Sequence, residues 1–131
     1  MATAAEDVTL AQYRALVELA ARGPLRVAEL ALVLDVDRST ASRMCERLLK
    51  KHLVSRRRLN EDRRAVRISL TAAGRELVAQ VSRRRRAEVE GIVEHMPVAH
   101  REWVSEALRV FAAAAGEVPE QEWSLGWDPQ A

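Results

Sequence analysis

Arginine and hydroxyl side chains lie close together in one short polar run of this 131-residue chain. The run contains Arg38, Ser39, Thr40, Ser42 and Arg43. Hydroxyl groups can hydrogen-bond to phosphate oxygens or to base edges, and an arginine can form two parallel hydrogen bonds with guanine. These residue types at this spacing predict contacts with DNA from the start of a helix. Serine and threonine also cap helices without any ligand, so the run alone leaves that interpretation open.

A second group of charged residues, Asp62, Arg63 and Arg64, lies in a polar stretch between two apolar segments. An arginine at the tip of a thin β-loop can enter the minor groove of DNA, where narrow A·T-rich stretches have a strongly negative potential. Asp62 can orient the guanidinium of Arg64 by accepting its hydrogen bonds. The group therefore predicts a minor-groove contact, and the alternative is a surface turn with incidental charge.

Charge is distributed unevenly along the chain, although the net charge is only +2. Residues 38–86 contain 16 Lys and Arg against 4 acidic residues, whereas the rest of the chain contains 5 and 15. A polyanion would be attracted to that segment and repelled elsewhere, and the alternative is a solvated basic helix face without a partner. Four consecutive arginines, 83–86, span a full helical turn and cannot all face one surface, so we expect a solvated helix with one or two phosphate contacts. Ion pairs between Arg84 and Glu88 and between Arg86 and Glu90 are expected there.

The spacing of apolar residues predicts the elements that position these side chains. Helices are expected at 10–22, 27–34, 38–51, 72–96 and 98–115, and short strands at 54–58 and 66–70. The inward face of the first helix is predicted to contain Leu10, Tyr13, Leu16, Val17 and Ala20. Three helices followed by a basic hairpin predict a mostly helical α+β fold, a winged helix-turn-helix with a two-stranded wing.

Four motifs together resemble the multiple-antibiotic-resistance regulator (MarR) family. They are DRSTASR at 37–43, LLKKHLV at 48–54, DRR at 62–64 and LTAAG at 70–74. The resemblance covers residues 10–74 closely and the two later helices by layout only. It implies a transcriptional repressor that binds a pseudo-palindromic operator in double-stranded DNA as a homodimer.

The resemblance also implies roles for individual residues. It places the recognition helix, with Arg38, Ser39, Thr40, Ser42 and Arg43, in the major groove. It places the wing in the flanking minor groove, with Asp62 and Arg64 at the tip and Arg63 on phosphate. A small aromatic or phenolic ligand, bound between the DNA-binding part and the dimer helices, would loosen DNA binding. Nothing in the sequence identifies that ligand.

The chain departs from the family pattern at three places. His52 stands where the family usually has glycine, at the end of the recognition helix, and Asp35 stands where glycine is frequent between the two central helices. Histidine tolerates a left-handed conformation less well than glycine, so we expect this turn to form with some strain. Residues 1–8 are shorter than the family's usual first helix, so dimer assembly is expected to depend on the last two helices, with a contribution of the tail left open.

We expect four parts in the chain. A short N-terminal segment at 1–8 precedes the winged helix-turn-helix at 9–74, and the dimerisation helices at 75–116 precede a tail at 117–131. The dimerisation helices carry more apolar surface than two helices can bury against each other, and a symmetric interface would cover it. The residues assigned to that interface are Val89, Ile92, Trp103, Leu108 and Phe111. The alternative is packing within the same chain, and the role of Trp123 and Trp127 stays open.

Other classes of function are disfavoured by the composition. The chain has neither a membrane-length apolar run nor an export signal at its start, so a cytoplasmic location is expected. The single cysteine, Cys45, falls on an inward helix stripe and is expected to be inert. We expect no metal or other cofactor and no enzyme activity, because histidines and carboxylates are scattered. Two alternatives remain: a winged-helix protein-interaction module without DNA binding, and a small enzyme.

Overall fold

The computed structural model describes residues 7–58 and 65–123. The predicted wing-tip residues Asp62, Arg63 and Arg64, and Trp127 of the tail, lie outside these ranges. The order of elements confirms the predicted winged helix-turn-helix. The elements are α1 (Leu10–Arg22), α2 (Val27–Leu34), α3 (Arg38–Lys50), β1 (Val54–Arg58), β2 (Val66–Leu70), α4 (Ala72–Glu94), α5 (Val98–Ala114) and one turn of 3-10 helix at Glu120–Glu122.

The first helix is capped at both ends by residues suited to those positions. At α1, the Thr9 hydroxyl accepts a hydrogen bond from the Gln12 N–H at 3.1 Å, and the Gln12 side chain accepts one from the Thr9 N–H at 3.3 Å. This reciprocal capping satisfies two donors that a helix end leaves free. Gly23, with a φ of 79°, ends the helix in a conformation that favours glycine.

A short segment after α1 joins the sheet. The Leu25 N–H donates to the Ile68 carbonyl at 3.0 Å, and the Ile68 N–H donates to the Leu25 carbonyl at 2.7 Å. On its other side β2 pairs antiparallel with β1, with Val54 opposite Leu70 and Arg58 opposite Val66. The hairpin is therefore attached to the helical part of the fold by backbone hydrogen bonds as well as by its apolar face.

One hydrophobic core joins the helices to the hairpin. The large side chains that are fully buried come from five different elements, and they are Leu16, Leu30, Leu48, Ile68 and Val78. Since α1, α2, α3, β2 and α4 each contribute one of them, the first part of α4 belongs to the same packed unit as the hairpin.

The predicted inward face of α1 was wrong at its first residue. Leu10 is 80% exposed, whereas Leu19, which the prediction omitted, is buried. The two residues are nine positions apart, and at about 100° per residue they lie on opposite sides of the helix. The buried face is centred on Leu16 and Leu19, so Leu10 falls outside it.

The two residues that stand where the family pattern has glycine adopt left-handed backbone conformations. His52 has a φ of 58° and Asp35 a φ of 55°. The turns at both positions therefore form without glycine, as predicted for His52. The conformation is strained in both residues because their Cβ atoms lie close to the backbone carbonyl oxygen.

The second half of the chain is much less buried. None of the residues of α5 is buried, and most of its large apolar side chains are exposed to solvent: Val98, Trp103, Leu108, Val110 and Phe111. Within residues 7–58 and 65–123, none of the helices combines the length and the apolarity that crossing a membrane requires.

Candidate nucleic-acid interface

The start of α3 is held by the side chain of Asp37. Its Oδ1 accepts hydrogen bonds from the Thr40 N–H and from the Ser39 hydroxyl, both at 2.7 Å. The backbone hydrogen bond from Thr40, followed by the hydroxyl of Ser39, lowers the pKa of Asp37 to about 2. Because Ser39 donates its only hydroxyl hydrogen to this cap, it has no donor left for a phosphate while the cap is intact.

The remaining polar side chains of α3 face solvent. The helix buries Ala41, Cys45 and Leu48 and exposes Ser42 and Arg43 between them. Arg43 Nη2 donates to the Thr40 hydroxyl at 3.3 Å, which holds the guanidinium over the first turn of the helix. Of the five predicted recognition residues, Arg38, Ser39, Ser42 and Arg43 are exposed and Thr40 is partly exposed. They lie together at the N-terminal end of α3, where free N–H groups and the helix dipole favour anions.

The hairpin places further arginines beside this helix. Arg56, Arg57 and Arg58 of β1 are exposed, and Arg56 Nη2 donates to the carboxylate of Glu46 on α3. This ion pair joins the two elements that are predicted to enter the DNA grooves. Arg26, Arg38 and Arg56 line one cleft beside the hairpin. The sequence analysis did not assign Arg56 to the site, since the run 56–58 indicated only a strand, and it did not assign Arg26 either.

The predicted dimerisation residues all project into solvent. Their side chains are between 49% and 74% exposed: Val89 49%, Ile92 65%, Trp103 71%, Leu108 61% and Phe111 74%. Side chains of this size are seldom left exposed in such number on one pair of helices without a partner. The arrangement fits the predicted interface, and the assignment of these residues to it stays a prediction.

A cavity of about 480 Å³ lies between α1, α4 and the segment that follows α5. Its lining includes Tyr13 and Val17 of α1, Arg85 and Arg86 of α4, and Trp123. Trp123 packs against the edge of the core and donates from Nε1 to the Val118 carbonyl at 2.9 Å.

The ion pair predicted for Arg86 is replaced by a long-range one. Arg86 contacts Glu120 rather than Glu90, and Arg83 contacts Glu76 at 3.1 Å. The i, i+4 pattern failed here because the segment after α5 folds back to α4 and brings a competing carboxylate, and sequence spacing within one helix cannot reveal such a contact.

Cys45 is buried on the inner face of α3, and burial raises the pKa of its thiol. A thiol in that environment is a poor nucleophile. In the part of the chain that the structure describes, no three His, Cys, Asp or Glu side chains lie close enough together to hold a metal ion.

Comparison with known proteins agrees with this architecture. The model of the MarR family matches residues 8–66. The HTH-type transcriptional repressor MdtR of Bacillus subtilis is 38% identical over 69 residues, which make up 53% of this chain and 44% of MdtR. The chain spans about half the length of the curated relatives it matches.

Two solved structures extend the likeness beyond α3 and the hairpin. The crystal structure of RV1404 from Mycobacterium tuberculosis is 40% identical, with a TM-score of 0.81, and the match covers 86% of this chain and 76% of that one. Streptococcus pneumoniae FabT, solved in complex with DNA, has a TM-score of 0.73 at 20% identity. The match covers 87% of this chain and 80% of FabT. At that identity the similarity shows the fold alone. From the matched family model and the similarity to these proteins, we conclude that the chain belongs to the MarR family.

Proposed function

We propose that this protein is a homodimeric transcriptional repressor that binds operator DNA through α3 and the wing. The observation that carries the proposal is the position of Arg38 at the start of α3 and Arg56 on the hairpin, which line one common cleft. Two cationic elements on one side of the molecule suit adjoining grooves of one duplex. The similarity to MdtR, a transcriptional repressor, and the fold shared with FabT, which was solved in complex with DNA, support the proposal.

Sequence is read by α3 in the major groove. Ser42 and Arg43 are exposed one turn into the helix and face away from the core, so they reach base edges. Arg43 forms a bidentate contact with guanine, worth roughly 1–3 kcal/mol of discrimination. Ser39 and Thr40 support this surface through the cap and through the hydrogen bond to Arg43. Asp62, Arg63 and Arg64 act from the wing on the minor groove and its phosphates, as the sequence predicts.

Two copies associate through α5 and the second half of α4. The exposed side chains of Val89, Ile92, Trp103, Leu108 and Phe111 supply the apolar area of that interface. A two-fold axis then presents two α3 helices, which bind successive major grooves when they lie about 34–36 Å apart.

A small aromatic or phenolic molecule is the effector, and it binds in the cavity between α1 and α4. The volume of about 480 Å³ lies within the range of small-molecule sites, roughly 300–1,000 Å³. Tyr13 and Trp123 offer aromatic surfaces, and Arg85 offers a partner for a carboxylate or phenolate, whereas Arg86 is already paired with Glu120. A ligand there would change the spacing of the two recognition helices by moving α1 relative to α4.

The test is selection of duplexes from a random pool by the purified chain, followed by titration of the selected duplex at increasing salt. We expect an inverted repeat with half-sites about one helical turn apart and an affinity that falls steeply with salt. Failure to retain any duplex, or binding that salt does not change, would overturn the proposal in favour of a protein-interaction module.

A further inference from the structure

Three arginines from three elements converge on one cleft of about 500 Å³. Arg26 precedes α2, Arg38 begins α3 and Arg56 lies in β1. The other lining residues are apolar or small: Val27, Ala28, Ala65, Val66 and Ile68. Among these lining residues none is acidic, so the cleft gathers three positive charges over an apolar floor.

The acidic partners of two of these arginines do not line the cleft. Glu46 pairs with Arg56 from α3, and Glu29 lies 4.0 Å from Arg26 Nε, at the limit of an ion pair. The side chains of Arg26 and Arg56 remain 53% and 56% exposed. Arg38 forms no ion pair with any of the residues that the structure describes. The guanidinium groups therefore keep donors free for an anion, and exposed ion pairs of this kind are weak enough for an anion to displace.

The position of the cleft indicates which anion it would meet. It lies where the hairpin meets the start of α2 and the first residue of α3. The proposed function places α3 and the hairpin in the major and the flanking minor groove of one duplex. Adjoining grooves are separated by a sugar–phosphate strand, so a protein that enters both must pass that strand between its two elements. The first turn of α2 also lines the cleft through Val27 and Ala28, and N–H groups there favour a phosphate.

We propose that this cleft binds a phosphodiester of the DNA backbone through Arg26, Arg38 and Arg56. The inference rests on the proposed function and assigns Arg38 to the backbone, whereas Arg43, one turn further along α3, reads bases. The volume, many times the ~30 Å³ of a water molecule, admits a phosphate together with its sugar. Arg26 and Arg56 thus set the register of the protein on DNA without reading sequence.

The first experiment compares salt dependence for wild type, Arg26→Ala, Arg38→Ala and Arg56→Ala, each on the selected duplex and on an unrelated duplex of roughly 30 base pairs. In each alanine variant, affinity should depend less steeply on salt. The magnitude of the slope of log affinity against log salt should fall by about 1 for each copy of the chain, or about 2 for a dimer, and equally on both duplexes. Arg26→Lys should keep the wild-type slope because it keeps the charge. Arg14→Ala removes an exposed arginine of α1 outside the cleft and should leave the slope unchanged.

The second experiment replaces single phosphates of the selected duplex with neutral methylphosphonates. At one phosphate position in each half-site, the methylphosphonate should weaken binding of the wild-type protein. The same methylphosphonate should not weaken binding of Arg26→Ala any further, because the variant has already lost that contact. Circular dichroism of each variant separates loss of a contact from loss of folding.

The outcomes distinguish the two levels of the proposal. Absence of DNA binding by wild type would overturn the proposed function itself. Wild-type binding with unchanged slopes in folded Arg26→Ala and Arg56→Ala would overturn only the cleft. A changed base preference in Arg38→Ala, without a change of slope, would return Arg38 to base recognition.

Discussion

A Cβ atom added to Gly74 would lie 2.1 Å from the carbonyl oxygen of Leu53. The same carbonyl accepts a hydrogen bond from the Thr71 N–H at 3.1 Å, and the Thr71 hydroxyl donates to the His52 carbonyl at 2.7 Å. The first turn of α4 is thus pressed against the chain between α3 and the hairpin. In the proposed dimer, in which α4 carries part of the interface, this joint would couple the distance between two copies to the orientation of α3.

Replacing Gly74 by alanine should destabilise the protein, because the backbone of Leu53 would have to move. Overpacking of this kind costs roughly 1–3 kcal/mol in the free energy of unfolding, which urea denaturation measures. Gly91→Ala is the matched control in the same helix, where an added Cβ meets nothing within 4 Å. That variant should gain up to about 1 kcal/mol from helix propensity. Equal stability of Gly74→Ala and wild type would show that the joint is not tight.

Acid should weaken the start of α3 through Asp37. The folded-state pKa is about 2, below its usual 3.8, so the ionised cap contributes stability that is present above pH 3.8 and is lost as pH falls towards 2. Asparagine caps a helix equally well without titrating. Asp37→Asn should therefore match wild type at neutral pH and lose less of its melting temperature in acid, whereas Asp37→Ala should melt lower throughout. If the melting temperatures of wild type and Asp37→Asn fell equally as the pH is lowered, Asp37 would not have this role.

Arg43→Ala should relax sequence preference rather than abolish DNA binding. Loss of a bidentate contact should reduce discrimination at one base pair of each half-site by roughly 1–3 kcal/mol, about 5–150-fold. Competition between the selected duplex and its single-base variants measures this. Arg14→Ala, with the same change of charge, should retain the wild-type preference, and retained preference in Arg43→Ala would remove Arg43 from base recognition.

Phe111→Glu should convert a dimer into a monomer, because a charge would be buried without a partner at the proposed interface. Light scattering reports the mass directly. Leu32→Glu is the control, since Leu32 is 82% exposed on α2, outside the α4–α5 surface, and should leave the dimer intact. A wild-type chain that is monomeric at micromolar concentration would contradict the interface altogether.

Cys45 should resist modification in the folded protein. Its side chain is 2% exposed and burial raises its pKa, so little reactive thiolate is available. Iodoacetamide should label it slowly in buffer and rapidly in denaturing urea, and mild peroxide should leave DNA affinity unchanged. Rapid native labelling accompanied by loss of DNA binding would instead indicate a redox switch.

Local features of the sequence determined the elements. Thr9, Asp37 and Thr71 are cap residues, and each helix begins where its cap predicts because the cap bonds to an N–H three residues later. The alternation of Val66, Ile68 and Leu70 likewise marked β2. The order of these elements was enough to predict the winged helix-turn-helix fold, since short connections leave few ways to pack the elements together.

Tertiary structure alone decided which distant residues meet. The pairing of Leu25 with Ile68, the contact of Arg86 with Glu120, and the convergence of Arg26, Arg38 and Arg56 join positions far apart in the sequence. Periodicity describes one element at a time, so it contains no information about the rotation and distance between two packed elements. Burial of one shared core sets those quantities, which is why α1 turned Leu10 outward and Leu19 inward.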